Sequence, residues 1–244
     1  CDYAFYAGAT PANIGALASL ERMPGVFGIK AFLGTAVAIL LLSREADILA
    51  ALKAGSRRVA VHSEDEDRLI ARKSFATKGD VGTHPLWRDV ETARASTERV
   101  IGLARRAGRR LHVLHVTTAE EIPLLAAAKD IVTAEVTPQH LTLAAPECYE
   151  RLGAYAQMNP PIRDATHRAA LWAAVADGVI DVVGSDHAPH TREEKDKTYP
   201  ATPSGMPGVQ TLVTILLDHV NAGRMSRERF VDLTSAGPQR IFGI

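Results

Sequence analysis

The stretch VVGSDHAPHTREEKDKTYP, residues 182–200, places Asp186, His187 and His190 directly after the β-branched pair Val182-Val183. A carboxylate beside imidazoles, where a strand comes out into solvent, has the groups that ligate metals and move protons. Read alone, a solvated turn is the lesser alternative for this stretch. Three further polar residues stand near the ends of other β-rich runs: Lys30 in VFGIKAFLG, His62 in RRVAVHSE and His115 in RRLHVLHVT. Each taken singly reads as a structural side chain; four on four separate strands read as a site. Lys30 is the only charge between Arg22 and Arg44. A lysine in an apolar run is costly unless it is paired, snorkels to an edge or is chemically altered. One such alteration, carboxylation by carbon dioxide, makes an anionic carbamate able to bridge two metals. Two imidazoles, a carboxylate and a carbamate form a nitrogen/oxygen ligand set that zinc accepts.

The elements that must carry these residues alternate along the chain. Strand-like runs occur at 2–8, 26–34, 57–64, 109–117, 130–138 and 180–186. Between most of them lie helix-like segments, including 88–107, 119–129 and 164–177, and 208–235 reads as two more helices. The strands read as buried on both faces, so the fold class is α/β with a parallel sheet, either a (β/α)8 barrel or an open doubly wound sheet. In a barrel, Lys30, His62, His115 and Asp186 would converge on the C-terminal rim. His112 and His115 are three apart, so strict alternation sends them to opposite faces. His115 is nearer the carboxyl end and is expected inside, which leaves His112 to packing unless a bulge intervenes.

Composition bounds the remaining possibilities. The 244 residues suffice for a sizeable core, with 46% hydrophobic and 23% charged residues. Twenty-eight basic and 28 acidic residues leave no net field to favour nucleic acid or an anionic membrane. Cys1 and Cys148 are the only cysteines, too few for a disulfide scaffold, and a reducing cytoplasmic setting is expected. The longest nearly apolar run, Ala31 to Leu42, is short of the roughly 20 residues that span a bilayer. No glycine fingerprint for a nucleotide occurs. The chain opens on Cys1, in a strand, so a preceding portion is expected.

In this order, GIKAFLG, VHSEDE, HVLHVTTAEE, EVTPQHL, MNPPIR, GSDHAPHTREEKDK and SGMPG resemble the amidohydrolase superfamily and, within it, bacterial dihydroorotase. The resemblance spans the chain and implies a metal-dependent barrel with a binuclear zinc centre. By motif position it makes Lys30 the carboxylated bridging lysine, gives His62 and His115 to the second metal and Asp186 to the first. It assigns substrate contacts to Asn159, to His190 at a ring carboxylate, and to the backbone at Ser204-Gly205. His187 is left as structural. The expected partner is a small molecule, carbamoyl aspartate or dihydroorotate, with a homo-oligomer left open.

Two features depart from the family pattern. Its first-strand His-x-His pair, with a nearby arginine and asparagine for substrate, is not in this chain, whose six strands map onto the last six of the barrel. Residues 1–244 are thus expected to be one partial barrel domain without the first strands and the small β-domain. The segment GTAVAILLLS after Lys30 is also more apolar than expected. The implied chemistry is reversible closure of carbamoyl aspartate to dihydroorotate, with Asp186 moving the proton. The rivals are a hydantoinase or allantoinase, set apart by His190, and a non-catalytic dihydroorotase-like scaffold subunit, which would usually lack metal ligands.

Overall fold

The computed structural model describes residues 3–35 and 40–243. Cys1 and the 36–39 part of the apolar stretch 35–42 therefore lie outside the described residues. Six strands form within the six expected runs: β1 (Phe5–Gly8), β2 (Val26–Phe32), β3 (Val59–His62), β4 (Leu111–Val113), β5 (Val132–Val136) and β6 (Val182–Val183). They pair in parallel in the order β1-β2-β3-β4-β5-β6. This order separates the two architectures left open by the sequence. A doubly wound sheet reverses its strand order at a switch point, whereas a barrel adds each strand beside the last. The sheet is a six-stranded arc of an α/β barrel.

Alternation along the strands sorts the side chains. Ile29, Val59, Val61, Leu111, Val113, Val132, Ala134 and Val136 face the helices and join one apolar core with Ile48, Leu52, Val100, Leu125, Leu171 and Val175. The opposite face is polar. Lys30, Ala60, His112 and Thr133 are level across β2 to β5, and His62 and Glu135 stand two residues further along their strands. Strands β3, β4 and β6 are buried on both faces, as expected, whereas β2 and β5 are partly open on the inner face and β1 is exposed at Phe5; the inner face is not apolar.

The helices are cut where their caps dictate. Helix Val90–Ala107 begins two residues later than the sequence pattern, because the Asp89 side chain accepts the Thr92 N–H. It ends at Gly108, whose φ of 65° suits a residue without Cβ. Helices Glu121–Ala126 and Ala165–Ala176 match the other two expected segments. In the C-terminal region, helices Leu212–Asn221 and Arg227–Val231 precede Gly237–Phe242. Phe242 packs edge-on against Tyr6, Phe27 and His112 at the end of the arc away from Asp186. Cys148 is buried and free, and among the described residues no helix is long and apolar enough to cross a membrane.

The apolar seam between sheet and helices is what holds the arc. Leu111 is fully buried in it. Leu111→Ala should therefore cost about 2–5 kcal/mol, read as a lower denaturant midpoint with an unchanged slope.

Candidate active site

Lys30 lies within β2, His62 ends β3, His115 follows β4 by two residues and Asp186 follows β6 by three. The four expected residues thus occupy the C-terminal ends of four neighbouring or near-neighbouring strands. Alternation fails at one of them. β4 stops at Val113, and His115 takes a left-handed backbone, φ 37°. That twist turns its ring toward His62 although His112, three residues earlier, also faces inward. His112 Nδ1 lies 2.8 Å from Thr133 Oγ1 and its Nε2 3.5 Å from Glu135. The expectation that only one of the two histidines points inward is corrected here; a strand end did what a bulge would have done. Asp186 is also left-handed, φ 42°. Such backbone in a residue other than glycine is strained and concentrates at functional sites.

His62 and His115 meet at the centre, His62 Nδ1 being 3.1 Å from His115 Nε2. His62 Nε2 faces Glu64 Oε2 at 2.9 Å. A carboxylate only accepts, so His62 carries its proton on Nε2 and turns the Nδ1 lone pair toward His115. Burial lowers the pKa of both rings and keeps them neutral. His115 Nδ1 is buried with no hydrogen-bond partner among the described residues, so without a cation His115 carries its proton on Nε2 and donates it to His62 Nδ1, and a cation between the rings would take that proton's place. Two nitrogens on one tetrahedral zinc stand roughly 3.3 Å apart. The pair fits a cation on that measure, and the Glu64 contact is the support that metal-bound histidines ordinarily have.

Lys30 and Asp186 complete the charge distribution. Burial lowers the Lys30 amine to about 8 against the pull of Asp186 and Glu135. Burial raises the Asp186 carboxyl, with Lys30 opposing. Asp186 is itself solvent-exposed at the mouth of the arc, so water tempers that rise. Among the described residues, no three His, Cys, Asp or Glu side chains form a metal-binding group. The ligand set read from the sequence counts a lysine as its fourth member, and only the two histidines stand in direct contact.

The residues expected to contact substrate lie apart from the histidine pair. Asn159 Oδ1 lies 2.9 Å from His84 Nε2, which also faces the Met158 carbonyl at 3.1 Å. Facing two acceptors, Nε2 carries the proton, and Nδ1 accepts from the Tyr199 hydroxyl at 3.3 Å. Asn159 is thereby held by its oxygen, leaving its amide hydrogens to donate. His190 is exposed; its Nε2 lies 3.2 Å from the Ser204 carbonyl and its Nδ1 3.5 Å from Glu194. Ser204 and Gly205 share that loop. A Cβ at Gly205 would fall 2.5 Å from the Ala188 carbonyl, and its φ of 147° suits glycine alone. His187 Nδ1 accepts the Gly208 N–H at 3.0 Å, a loop-holding role that matches its reading as structural.

The sequence reading passed over Glu64, Arg88 and His84. Glu64 was legible, being two residues from His62 and so on the same strand face. Arg88 and His84 were not; they arrive from the short helix His84–Trp87 and its cap, and only tertiary packing brings them in. Arg88 pairs with the fully buried Glu64 and donates to the Thr35 carbonyl. Although burial raises the Glu64 pKa, Arg88 and His62 outweigh it and hold the carboxyl at about 2. Arg88→Ala strands that carboxylate and should cost about 3–5 kcal/mol in denaturant unfolding. In the parent protein, the depressed pKa means that this stabilisation is present above about 4.5 and lost as pH falls toward about 2. The Ala variant should show a flatter acid limb.

No protein-family model matches the chain. It is 41% identical over 187 residues to the dihydroorotase of Halobacterium salinarum, covering 76% of this chain and 43% of that protein. It is 32% identical over 256 residues to the dihydroorotase of Methanosarcina acetivorans, covering all of this chain and 54% of that one. The fold superposes on L-hydantoinase (dihydropyrimidinase) from Arthrobacter aurescens with a TM-score of 0.93 at 28% identity, over 99% of this chain and 56% of that chain. The chain spans about half the length of the curated relatives it matches. By sequence it is a homologue of the dihydroorotases, built on an arc of the amidohydrolase barrel.

Proposed function

We propose that the protein carrying this chain is a zinc-dependent cyclic amidohydrolase that interconverts N-carbamoyl-L-aspartate and dihydroorotate, a step of cytoplasmic pyrimidine synthesis. The observation that carries the reading is the His62–His115 nitrogen pair, 3.1 Å apart, on the same strand-end rim that carries Lys30 and Asp186. His62, His115 and Asp186, with Lys30 in carboxylated form, would hold up to two zinc ions. When bound, the metal supplies positive charge that activates water and polarises the ring carbonyl.

The chain's own residues do the rest. Asp186 takes the proton of the attacking water and returns it to the amide nitrogen as the ring C–N bond breaks. In the biosynthetic direction the same carboxyl removes a proton from nitrogen and water leaves. Asn159, fixed by His84, donates to the ring. His190, with the Ser204-Gly205 backbone, faces the ring carboxylate. Glu64 keeps His62 in the tautomer with a free Nδ1. Dihydroorotase is preferred over a hydantoinase because the names at 32–41% identity agree with His190 four residues after Asp186, while the hydantoinase likeness is one of fold at 28%.

Two variants of the full-length protein separate the roles. His190→Ala removes one charge-assisted hydrogen bond and should lower kcat/KM on carbamoyl aspartate about tenfold to a hundredfold, with zinc content unchanged. Asp186→Ala should lose both turnover and bound zinc. Metal analysis and rates measured side by side decide. Loss of zinc in His190→Ala, or its full activity on the carboxylated substrate, would sink the assignment.

A further inference from the structure

Lys195 is buried, 5% exposed, and no acidic side chain lies within ion-pair reach of it among the described residues. Its Nζ instead donates to three backbone carbonyls, Gln157 at 3.3 Å, Pro203 at 3.0 Å and Gly205 at 3.1 Å. Buried lysines are almost always paired, so an ammonium satisfied only by neutral oxygens is unusual. The nearby ionisable groups are engaged elsewhere. Glu194 accepts the Thr191 N–H and faces His190, Asp196 accepts from Tyr155, and the Tyr199 hydroxyl faces His84. Burial lowers the Lys195 pKa to about 8, which leaves it charged at neutral pH.

The three carbonyls belong to the two segments that carry the substrate residues. Gln157 leads to Asn159, and its carbonyl also accepts the Gly205 N–H at 2.9 Å. Its side chain reaches Ser204 Oγ at 2.9 Å. Pro203 and Gly205 flank Ser204. The Pro203–Ser204 peptide is trans, so C=O and N–H point opposite ways. Pinning the Pro203 oxygen on Lys195 therefore turns the Ser204 N–H away from it, and the ammonium polarises that donor.

The geometry points to Lys195 as a specificity-determining positioning residue: its uncompensated charge fastens the 157–159 and 203–205 segments together and sets a positive field behind them that favours an anionic ring substituent. The inference rests on the proposed reading of Asn159 and Ser204-Gly205 as substrate contacts, and it adds a source of carboxylate preference beyond His190.

The test compares kcat and KM of the full-length protein on dihydroorotate and on dihydrouracil, the same ring without its carboxylate. Lys195→Met should lower the dihydroorotate-over-dihydrouracil preference by about tenfold or more, chiefly through KM for dihydroorotate. Lys195→Arg, which keeps the charge, should retain most of that preference. In the parent protein the preference should fall as pH rises through about 8, where the ammonium is lost. If circular dichroism shows that Lys195→Met does not fold, Lys195→Gln, which removes the charge but keeps hydrogen-bond donors, is read against Lys195→Arg in its place. Equal losses on both substrates in the charge-removing variant overturn the proposal. Turnover of neither substrate by the parent protein would instead overturn the reading of the site as a cyclic amidohydrolase.

Discussion

The constraint on which the rest depends is the two-residue alternation of six parallel strands paired in consecutive order. It gives every strand an apolar face toward the helices and a second face toward the interior. Because Lys30, Ala60, His112 and Thr133 are level across four strands, polar groups beyond that row reach the rim together. Parallel pairing also aligns all the carboxyl ends, so a chain whose polar residues fall near strand ends collects them at one mouth. A reversed order would have scattered the same residues over two crevices.

That arrangement has an electrostatic cost, met by a second layer of charges. Neutral His62 and His115 are easily buried, but the carboxylate that orients His62 is fully buried as well. Arg88 answers it, and Arg163 in turn donates to the Arg88 carbonyl while its Nε faces Thr117 Oγ1 at 3.4 Å. Breaking one partner of such a network costs more than its pairwise attraction, because the remaining charge has no water to turn to. The layer therefore ties the histidine geometry to the stability of the fold.

The surroundings of Asn159, His190 and Ser204-Gly205 are built differently, from loops rather than strand ends. The capping box at Thr191–Glu194 starts the short helix Arg192–Lys195 and so sets both His190 before it and Lys195 at its end. Helix His84–Trp87 serves both halves, since His84 holds Asn159 and Arg88, its cap residue, holds Glu64. One helical turn thus couples Asn159 to the carboxylate that orients the histidine pair.

From the sequence alone, the alternation of strand-like and helix-like runs determined the α/β class and located all six strands. It also determined which residues stand at strand ends, because apolar periodicity and a polar interruption are local signals. Tertiary structure decided barrel against doubly wound sheet, since strand order is a non-local property that no local pattern encodes. It also decided the facing of His115. Period-2 reasoning holds only while the backbone stays extended, and a left-handed residue past the end of β4 resets it. Arg88, His84 and Lys195 were beyond sequence reasoning for a related reason. Their partners Glu64, Asn159 and Gln157 lie 24, 75 and 38 residues away, brought near only by packing of the loops over the sheet.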